Sequence, residues 1–256
     1  MRSIPMSFEQ VAKWAGVDPV ITASARLCEK PRIVVSGRLA SGKDTVAAEI
    51  MRILGFPDAV RVSIASPLRD EVNAVLDMVR DNEPLKAVAR ISDYGKLSAD
   101  SATQVRFLAD RALLEDPGVT SYTRTAAMRA LLQHWGTDVR MAEDPLYWTR
   151  RAVLNVFSLM SADSAIFVTD ARFVGDIDMM HAVGFCSIRL ETSPAVRAER
   201  LFDRDGIHMD AESGDHNSET ALDAYENFDL SADNSGSLSD TVSGLLWQMS
   251  QQPAFR

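Results

Sequence analysis

A short apolar run that ends in a glycine-rich turn constrains this chain more than any other stretch. The run IVVSGRLASGKDT contains Gly37, Gly42 and Lys43 at the spacing G-x-x-x-x-G-K. Glycines let backbone N–H groups close around a phosphate, and a following helix adds its positive N-terminal end. The flanking residues predict a buried strand before the turn and a helix from Lys43. A plain glycine-rich turn is the alternative, but this context favours a nucleotide-binding loop.

The residue after Lys43 is unusual for such a loop. Asp44 stands where most of these loops carry Ser or Thr to bind magnesium. Because Mg²⁺ prefers oxygen ligands and keeps several waters, Asp44 can hold it directly or through a water. We expect Lys43 to reach the β- and γ-phosphates and Thr45 to donate to the α-phosphate. The GKDT variant favours small-molecule kinases over GTPases and motor ATPases.

Composition and charge narrow the class of protein. The 256 residues suffice for one sizeable α/β domain with insertions, and no apolar run approaches the length of a membrane span. Cys28 and Cys186 lack metal-ligand spacing and no signal-peptide pattern is present, which favours a reducing cytoplasm. The formal charge of −9 argues against binding along a nucleic acid backbone. A phosphorylated small substrate needs only local positive charge.

Strand-like and helix-like runs alternate along the chain, which predicts a parallel sheet with helices on both faces. We interpret residues 1–30 as an N-terminal helical extension and residues 31–256 as the main domain. Within it, residues 80–120 are expected to form a helical insertion that binds substrate, and residues 193–217 a lid. Ser66 is expected to cap a helix. Another helix is expected to end at Gly136.

Several polar residues follow predicted strands or lie in predicted loops, where open α/β sheets bind ligands. Asp170 and Arg172 come after the apolar run 165–169 and suit a magnesium-bound water and a phosphate. A helix-capping aspartate with a solvent-facing arginine is the alternative. Arg69 lies in the first turn of a predicted helix. It either binds a ligand or is an exposed arginine with a structural role, and the sequence favours neither. Polar residues between two helices either cap them or line a site: Gly136, Thr137, Asp138 and Arg140.

Three arginines share one face of a predicted helix. Arg197, Arg200 and Arg204 recur at spacings of three and four residues. They either form a salt-bridged surface with nearby residues such as Glu199 and Asp203, or close over phosphates and neutralise developing charge.

Four stretches together resemble the deoxynucleoside monophosphate kinases of bacteriophages: GRLASGKDT, LLQHWGTDVR with DPLYW, TDAR, and HNSETALD with DNSGSL. The resemblance runs from about residue 33 to residue 247. It implies the P-loop nucleoside monophosphate kinase fold, a three-layer α/β/α arrangement with a central parallel sheet, a helical insertion and a lid. It also implies transfer of the γ-phosphoryl group of ATP to a deoxynucleoside monophosphate, with Mg²⁺. The expected partners are small nucleotides. Binding to a membrane or to nucleic acid is not expected, and a homodimer is left open.

The resemblance and the residue patterns described above together give expected roles to individual residues; those of Arg197, Arg200 and Arg204 rest on their spacing. The ATP site would comprise Gly37, Ala40, Ser41, Gly42, Lys43, Asp44, Thr45 and Arg197. The catalytic set would comprise Lys43, Asp170, Arg172, Arg200 and Arg204, with Asp44 and Asp170 on the metal. The substrate site would comprise Arg69, Thr137, Asp138, Arg140, His216, Ser218 and Glu219. We expect Arg172 and Arg140 to hold the acceptor phosphate, while a surface or capping role for His216 stays open.

Two rival functions remain at this point. One is a P-loop kinase that phosphorylates a hydroxymethylated base in a nucleotide or in DNA. The other is a nucleotide-binding regulator without catalysis. Residues 1–30 and 80–120 do not clearly match the family, so the accepted base is open.

Overall fold

The computed structural model describes residues 6–206 and 220–251. These residues contain five strands, eleven α-helices and one π-helical stretch. The strands are β1 Arg32–Gly37, β2 Val60–Val62, β3 Ile166–Val168, β4 Cys186–Glu191 and β5 Leu230–Asp233. The helices are α1 Phe8–Ala15, α2 Pro19–Arg26, α3 Lys43–Ile53, α4 Ser66–Arg80, α5 Pro84–Gly95, α6 Ala99–Glu115, α7 Ala126–Gln133, α8 Tyr147–Ser161, α9 Val174–Ala182, α10 Pro194–Asp205 and α11 Leu238–Gln251, with the π-helical stretch at His134–Met141.

The five strands form one all-parallel sheet in the order β2-β3-β1-β4-β5. In the central strand β1, Ile33 pairs with Phe167 of β3 on one side and with Cys186 of β4 on the other. Four consecutive residues of β1 are buried, as expected for a strand covered on both faces. The prediction of an α/β chain built on a parallel sheet is confirmed.

Helices cover both faces of this sheet. On one face, Val35 and Ile188 belong to a core shared with α3 and α11, which contribute Ile50 and Leu245. Because successive side chains of a strand point to opposite faces, Ser187 lies on the other face, where its hydroxyl meets His181 of α9. Among the described residues, no helix is long and apolar enough to cross a membrane.

The chain divides into two compact units. The first comprises Met1–Ser63 and Thr149–Arg256 and contains the sheet, with α1 and α2. The second, Ile64–Trp148, contains α4 to α7 and the π-helical stretch, around a core of fully buried residues such as Val75 and Leu131. The expected insertion at 80–120 lies within this second unit.

Two local predictions in the second unit are wrong. Ser66 is the first residue of α4; Ala65 occupies the N-cap position and no side chain of the described residues caps the helix. The helix of residue 125 onward does not end at Gly136, because α7 continues as the π-helical stretch. A Cβ on Gly136 would lie 3.1 Å from the Leu68 side chain, so close packing accounts for this glycine.

Candidate active site

The β1–α3 loop (residues 37–43) follows the central strand at the carboxyl edge of the sheet. A Cβ on Gly37 would come within 2.6 Å of Ser41 Oγ and 2.7 Å of a carbonyl oxygen of β4. A Cβ on Gly42 would come within 2.6 Å of Asn234 Nδ2, and the φ of Gly42, +85°, is one that L side chains rarely adopt. Both glycines are therefore required by close approach, as the sequence pattern predicts.

The side chains of Lys43 and Asn234 bind carbonyl groups of this loop. Lys43 Nζ donates to the carbonyl oxygens of Gly37 at 2.8 Å and Arg38 at 2.9 Å. Asn234, directly after β5, donates from Nδ2 to the carbonyl oxygen of Ser41 at 2.7 Å. Ser41 is fully buried and its Oγ has no hydrogen-bond partner. The ammonium group thus lies against the loop, beside a buried hydroxyl that a bound group could satisfy.

The N-terminus of α3 is open to an anion. Its N-cap residue is Gly42, and no side chain caps the helix. Asp44 and Thr45 lie in its first turn and are exposed. Ala40, one of the predicted ATP-binding residues, adopts φ 61° in the loop, which is rare for a residue other than glycine.

The arginines of α10 differ in exposure. Arg197 is 5% exposed, Arg200 is half-buried and Arg204 is exposed. Arg200 Nη1 would lie 3.6 Å from a Cβ built on Gly42, so the guanidinium lies beside the β1–α3 loop. This Nη1 is buried and has no hydrogen-bond partner among the residues that the structure describes. Because a buried donor without an acceptor is costly, an anionic ligand at the loop would relieve that cost.

Asp44 is held by the neighbouring strands. Its Oδ1 accepts a hydrogen bond from Thr169 Oγ1 and lies 2.9 Å from Arg61 Nη2. Arg61 also donates from Nε to Thr169 Oγ1 at 3.2 Å. The side chains of Arg61 and Asp44 are 50% and 62% exposed. The predicted metal ligand is therefore oriented by residues from β2 and the end of β3.

The connection after β3 contains two predicted site residues. Asp170 accepts a hydrogen bond from Ser63 Oγ at 2.6 Å, at the end of β2. The capping role that was the alternative for Asp170 belongs to Asp176, whose Oδ2 accepts from the backbone N–H groups of Arg172 and Phe173 at 3.0 Å. Burial raises the pKa of Asp176 despite these hydrogen bonds, and the nearby Asp170 adds to the rise.

A carboxylate from the stretch that precedes β5 reaches the β1–α3 loop. Asp223 forms an ion pair with Arg38 of the loop, and its Oδ1 lies 2.9 Å from Arg189 Nη2 of β4. Partial burial acts to raise the pKa of Asp223, but the hydrogen bonds and charges of the two arginines outweigh it and lower the pKa. Asp223 belongs to the HNSETALD stretch, so part of that stretch supports the loop.

Four predicted substrate residues lie in the second unit. Arg69 donates to the carbonyl oxygen of Ser121, and its guanidinium lies 4.9 Å from the centre of the Tyr122 ring. Thr137 and Asp138 are exposed on the π-helical stretch; Asp138 contacts His134 Nδ1 at 3.0 Å.

The fourth, Arg140, is enclosed. Its Nε donates to Glu71 at 2.8 Å, and the guanidinium lies 4.8 Å from the centre of the Trp135 ring and 5.1 Å from that of Tyr147. Trp135 Nε1 and Tyr147 Oη also donate to Glu71. With 8% exposure, Arg140 serves the packing of its unit, and this geometry gives no support to a phosphate contact from it.

The residues around the β1–α3 loop fit a nucleotide phosphate. The fit rests on two glycines without room for a Cβ, the uncapped helix, and the buried polar atoms of Ser41 and Arg200 that lack partners. Asp44 and Asp170 carry carboxylate oxygens, the type of ligand that Mg²⁺ prefers. Residues 6–206 and 220–251 contain no group of three or more His, Cys, Asp or Glu side chains able to hold a metal. His216, Ser218 and Glu219 lie outside the described residues.

Comparisons with known proteins add no assignment: no family model and no curated protein matches the chain. The sequence analysis missed several residues that contact the predicted site. They are Arg61, Ser63, Thr169, Asp223 and Asn234. For Ser63, Thr169 and Asn234 a signal existed, because each lies at the carboxyl end of a run predicted as a strand, and ligands bind at that edge of an open parallel sheet.

Proposed function

We propose that this chain is a P-loop kinase that transfers the γ-phosphoryl group of ATP to a deoxynucleoside 5′-monophosphate, giving the diphosphate and ADP. The observation that carries the proposal is the buried, unpartnered Nη1 of Arg200 beside Gly42 of the β1–α3 loop. A loop with the G-x-x-x-x-G-K spacing suits a bound polyphosphate when a guanidinium nitrogen that lacks an acceptor lies beside it. The family resemblance of the sequence supports the choice of acceptor.

The acceptor oxygen belongs to a phosphate that is already ionised at neutral pH, so the reaction needs no general base. Alignment and neutralisation of charge then account for catalysis. Lys43 would bind the transferred phosphoryl group and Arg200 would stabilise charge that develops on it. Asp44 and Asp170 would hold Mg²⁺, which would supply neutralisation of the phosphate charge. Arg172 would bind the acceptor phosphate.

The test is ADP release from ATP and Mg²⁺ with a panel of natural and modified deoxynucleoside monophosphates. We expect release with at least one mononucleotide and none with DNA alone. Release that requires DNA would establish the rival kinase of hydroxymethylated bases in DNA. Tight ATP binding without ADP release on any acceptor would favour the non-catalytic regulator.

A further inference from the structure

Two hydrogen bonds and one ion pair join three side chains next to the β1–α3 loop. Arg61 Nε donates to Thr169 Oγ1 at 3.2 Å, Thr169 Oγ1 donates to Asp44 Oδ1 at 2.5 Å, and Arg61 Nη2 lies 2.9 Å from the same Oδ1. Arg61 belongs to β2, Thr169 directly follows β3, and Asp44 lies in the first turn of α3. The set therefore joins two neighbouring strands to the helix that follows the loop.

The chemistry of the groups fixes the direction of these bonds. A guanidinium only donates, so the Thr169 hydroxyl must accept from Arg61 and has its single hydrogen left for Asp44. Thr169 is 2% exposed, which leaves this hydroxyl few other orientations. Asp44 Oδ1 thus accepts the hydrogen bond of Thr169 and forms the ion pair with Arg61, and within residues 6–206 and 220–251 its Oδ2 has neither. Since 62% of the Asp44 side chain is exposed, Oδ2 is open to water.

An exposed ion pair contributes little to stability, so the arrangement needs another explanation. A carboxylate with one oxygen held and the other open is pre-organised to bind a cation, because its rotation is already restricted. We infer that Thr169, supported by Arg61, is a positioning residue that presents Asp44 Oδ2 to the hydrated divalent cation of a bound nucleotide. This inference rests on the proposed function and adds residues that the motif does not contain.

The test measures binding of a non-hydrolysable ATP analogue by calorimetry, over a series of Mg²⁺ concentrations and in EDTA. In the wild type, Mg²⁺ should increase the affinity for the analogue. In Thr169→Val, the Mg²⁺ concentration that gives half of this increase should be about three- to tenfold higher, as expected for one lost hydrogen bond. Affinity in EDTA should stay unchanged. Thr169→Ser keeps the hydroxyl and should restore the wild-type Mg²⁺ dependence. Thr103→Val is the matched control, because Thr103 Oγ1 bonds only the Ala99 carbonyl within α6.

A second variant tests Arg61 without changing charge. Arg61→Lys keeps the cation but removes the Nε donor to Thr169, and it should shift the Mg²⁺ dependence in the same direction as Thr169→Val. Its control is Arg52→Lys, since Arg52 pairs with Glu49 on the exposed side of α3. Arg61 is half exposed, so this variant remains informative if Thr169→Val does not fold.

The outcomes separate the inference from the proposed function. If Asp44→Asn weakens the Mg²⁺ dependence while Thr169→Val and Arg61→Lys behave as wild type, the positioning role is overturned and the nucleotide site stands. If Thr169→Ser fails to restore the dependence, the hydroxyl is not the cause and the inference is likewise wrong. If the wild-type protein binds no analogue at any Mg²⁺ concentration, the proposed function itself fails.

Discussion

At the scale of single residues, two glycines share the same backbone conformation but differ in how closely they are packed. Replacing each by alanine therefore separates the cost of backbone strain from the cost of a steric clash. Gly42 has φ +85° and Gly55 has φ +88°, but a Cβ on Gly55 would meet nothing within 4 Å. Gly55→Ala should therefore lose about 1 kcal/mol of stability through strain alone. Gly42→Ala should lose more, because its Cβ collides with Asn234 and breaks the bond from Asn234 to Ser41.

Urea unfolding and calorimetric binding of an ATP analogue measure the two effects. Only Gly42→Ala is expected to lose nucleotide affinity. Equal losses of stability in both variants, with binding retained in both, would show that the loop tolerates a side chain at Gly42.

Lys43 is the second prediction at this scale. In Lys43→Ala, turnover in the ADP-release assay should fall on the order of 10²-fold or more, because one pre-organised charge-stabilising donor is lost. Lys13→Ala on the exposed side of α1 is the control. Circular dichroism should show that both variants keep the fold. Turnover near wild type in Lys43→Ala would contradict the view that the β1–α3 loop holds ATP.

At the scale of the element, α10 presents two arginines with different surroundings. If the proposed function holds, Arg200→Ala should reduce turnover about 10²-fold, since its buried Nη1 lies beside Gly42, where a charged donor would stabilise the transferred group. Arg204→Ala should have the smaller effect, because Arg204 is exposed near the end of the helix. Steady-state kinetics with saturating ATP compares the two variants. A larger loss in Arg204→Ala would reverse their assignment.

The link between β4 and the start of β5 should depend on pH. Asp229 accepts hydrogen bonds from the backbone N–H and the hydroxyl of Ser187, and it lies 3.2 Å from His181 Nε2. Partial burial acts to raise the pKa of Asp229, but the hydrogen bonds and charge of His181 and the bonds from Ser187 lower it overall.

Because the pKa of Asp229 is lower in the folded state, its stabilising contribution is full above the unfolded value of about 4 and is lost as pH falls through the folded value. The melting temperature of the wild type should therefore fall more steeply below about pH 4 than that of Asp229→Asn. Thermal unfolding at a series of pH values gives both slopes, and parallel slopes would contradict the assignment.

At the scale of the whole molecule, the two units are expected to respond separately to mutation. The second unit contains the buried pair Glu71–Arg140, with side-chain exposures of 4% and 9%. Removing one partner of a buried pair leaves an uncompensated charge and costs about 3–5 kcal/mol. Glu71→Gln should therefore destabilise this unit strongly. Arg106→Met, which breaks the more exposed pair with Asp110 on α6, should cost about 1 kcal/mol or less.

Hydrogen exchange measured by mass spectrometry locates the effect. In Glu71→Gln, exchange should increase within residues 64–148 more than in the peptides of the sheet. A uniform increase of hydrogen exchange in the peptides of both units would mean that the two units unfold as one cooperative body.

The sequence alone determined the elements that have local signals. Apolar runs predicted β1 and β3, because the residues of strands covered on both faces of a sheet must be largely apolar. The spacing of Gly37, Gly42 and Lys43 predicted a tight loop before a helix, because only glycine fits these close approaches. Such features depend on residues that are neighbours in the chain, and the structure bears them out.

Only the tertiary structure decided what each charged side chain meets. Arg140 and Arg172 looked alike as arginines in predicted loops, but Glu71, 69 positions away, binds Arg140 in the core of the second unit. Thr169 and Arg61 became partners of Asp44 only because β2 and β3 pair in the sheet. A charged residue carries no local mark of its partner, since the same side chain is solvated, paired or poised for a ligand according to the groups that folding brings beside it.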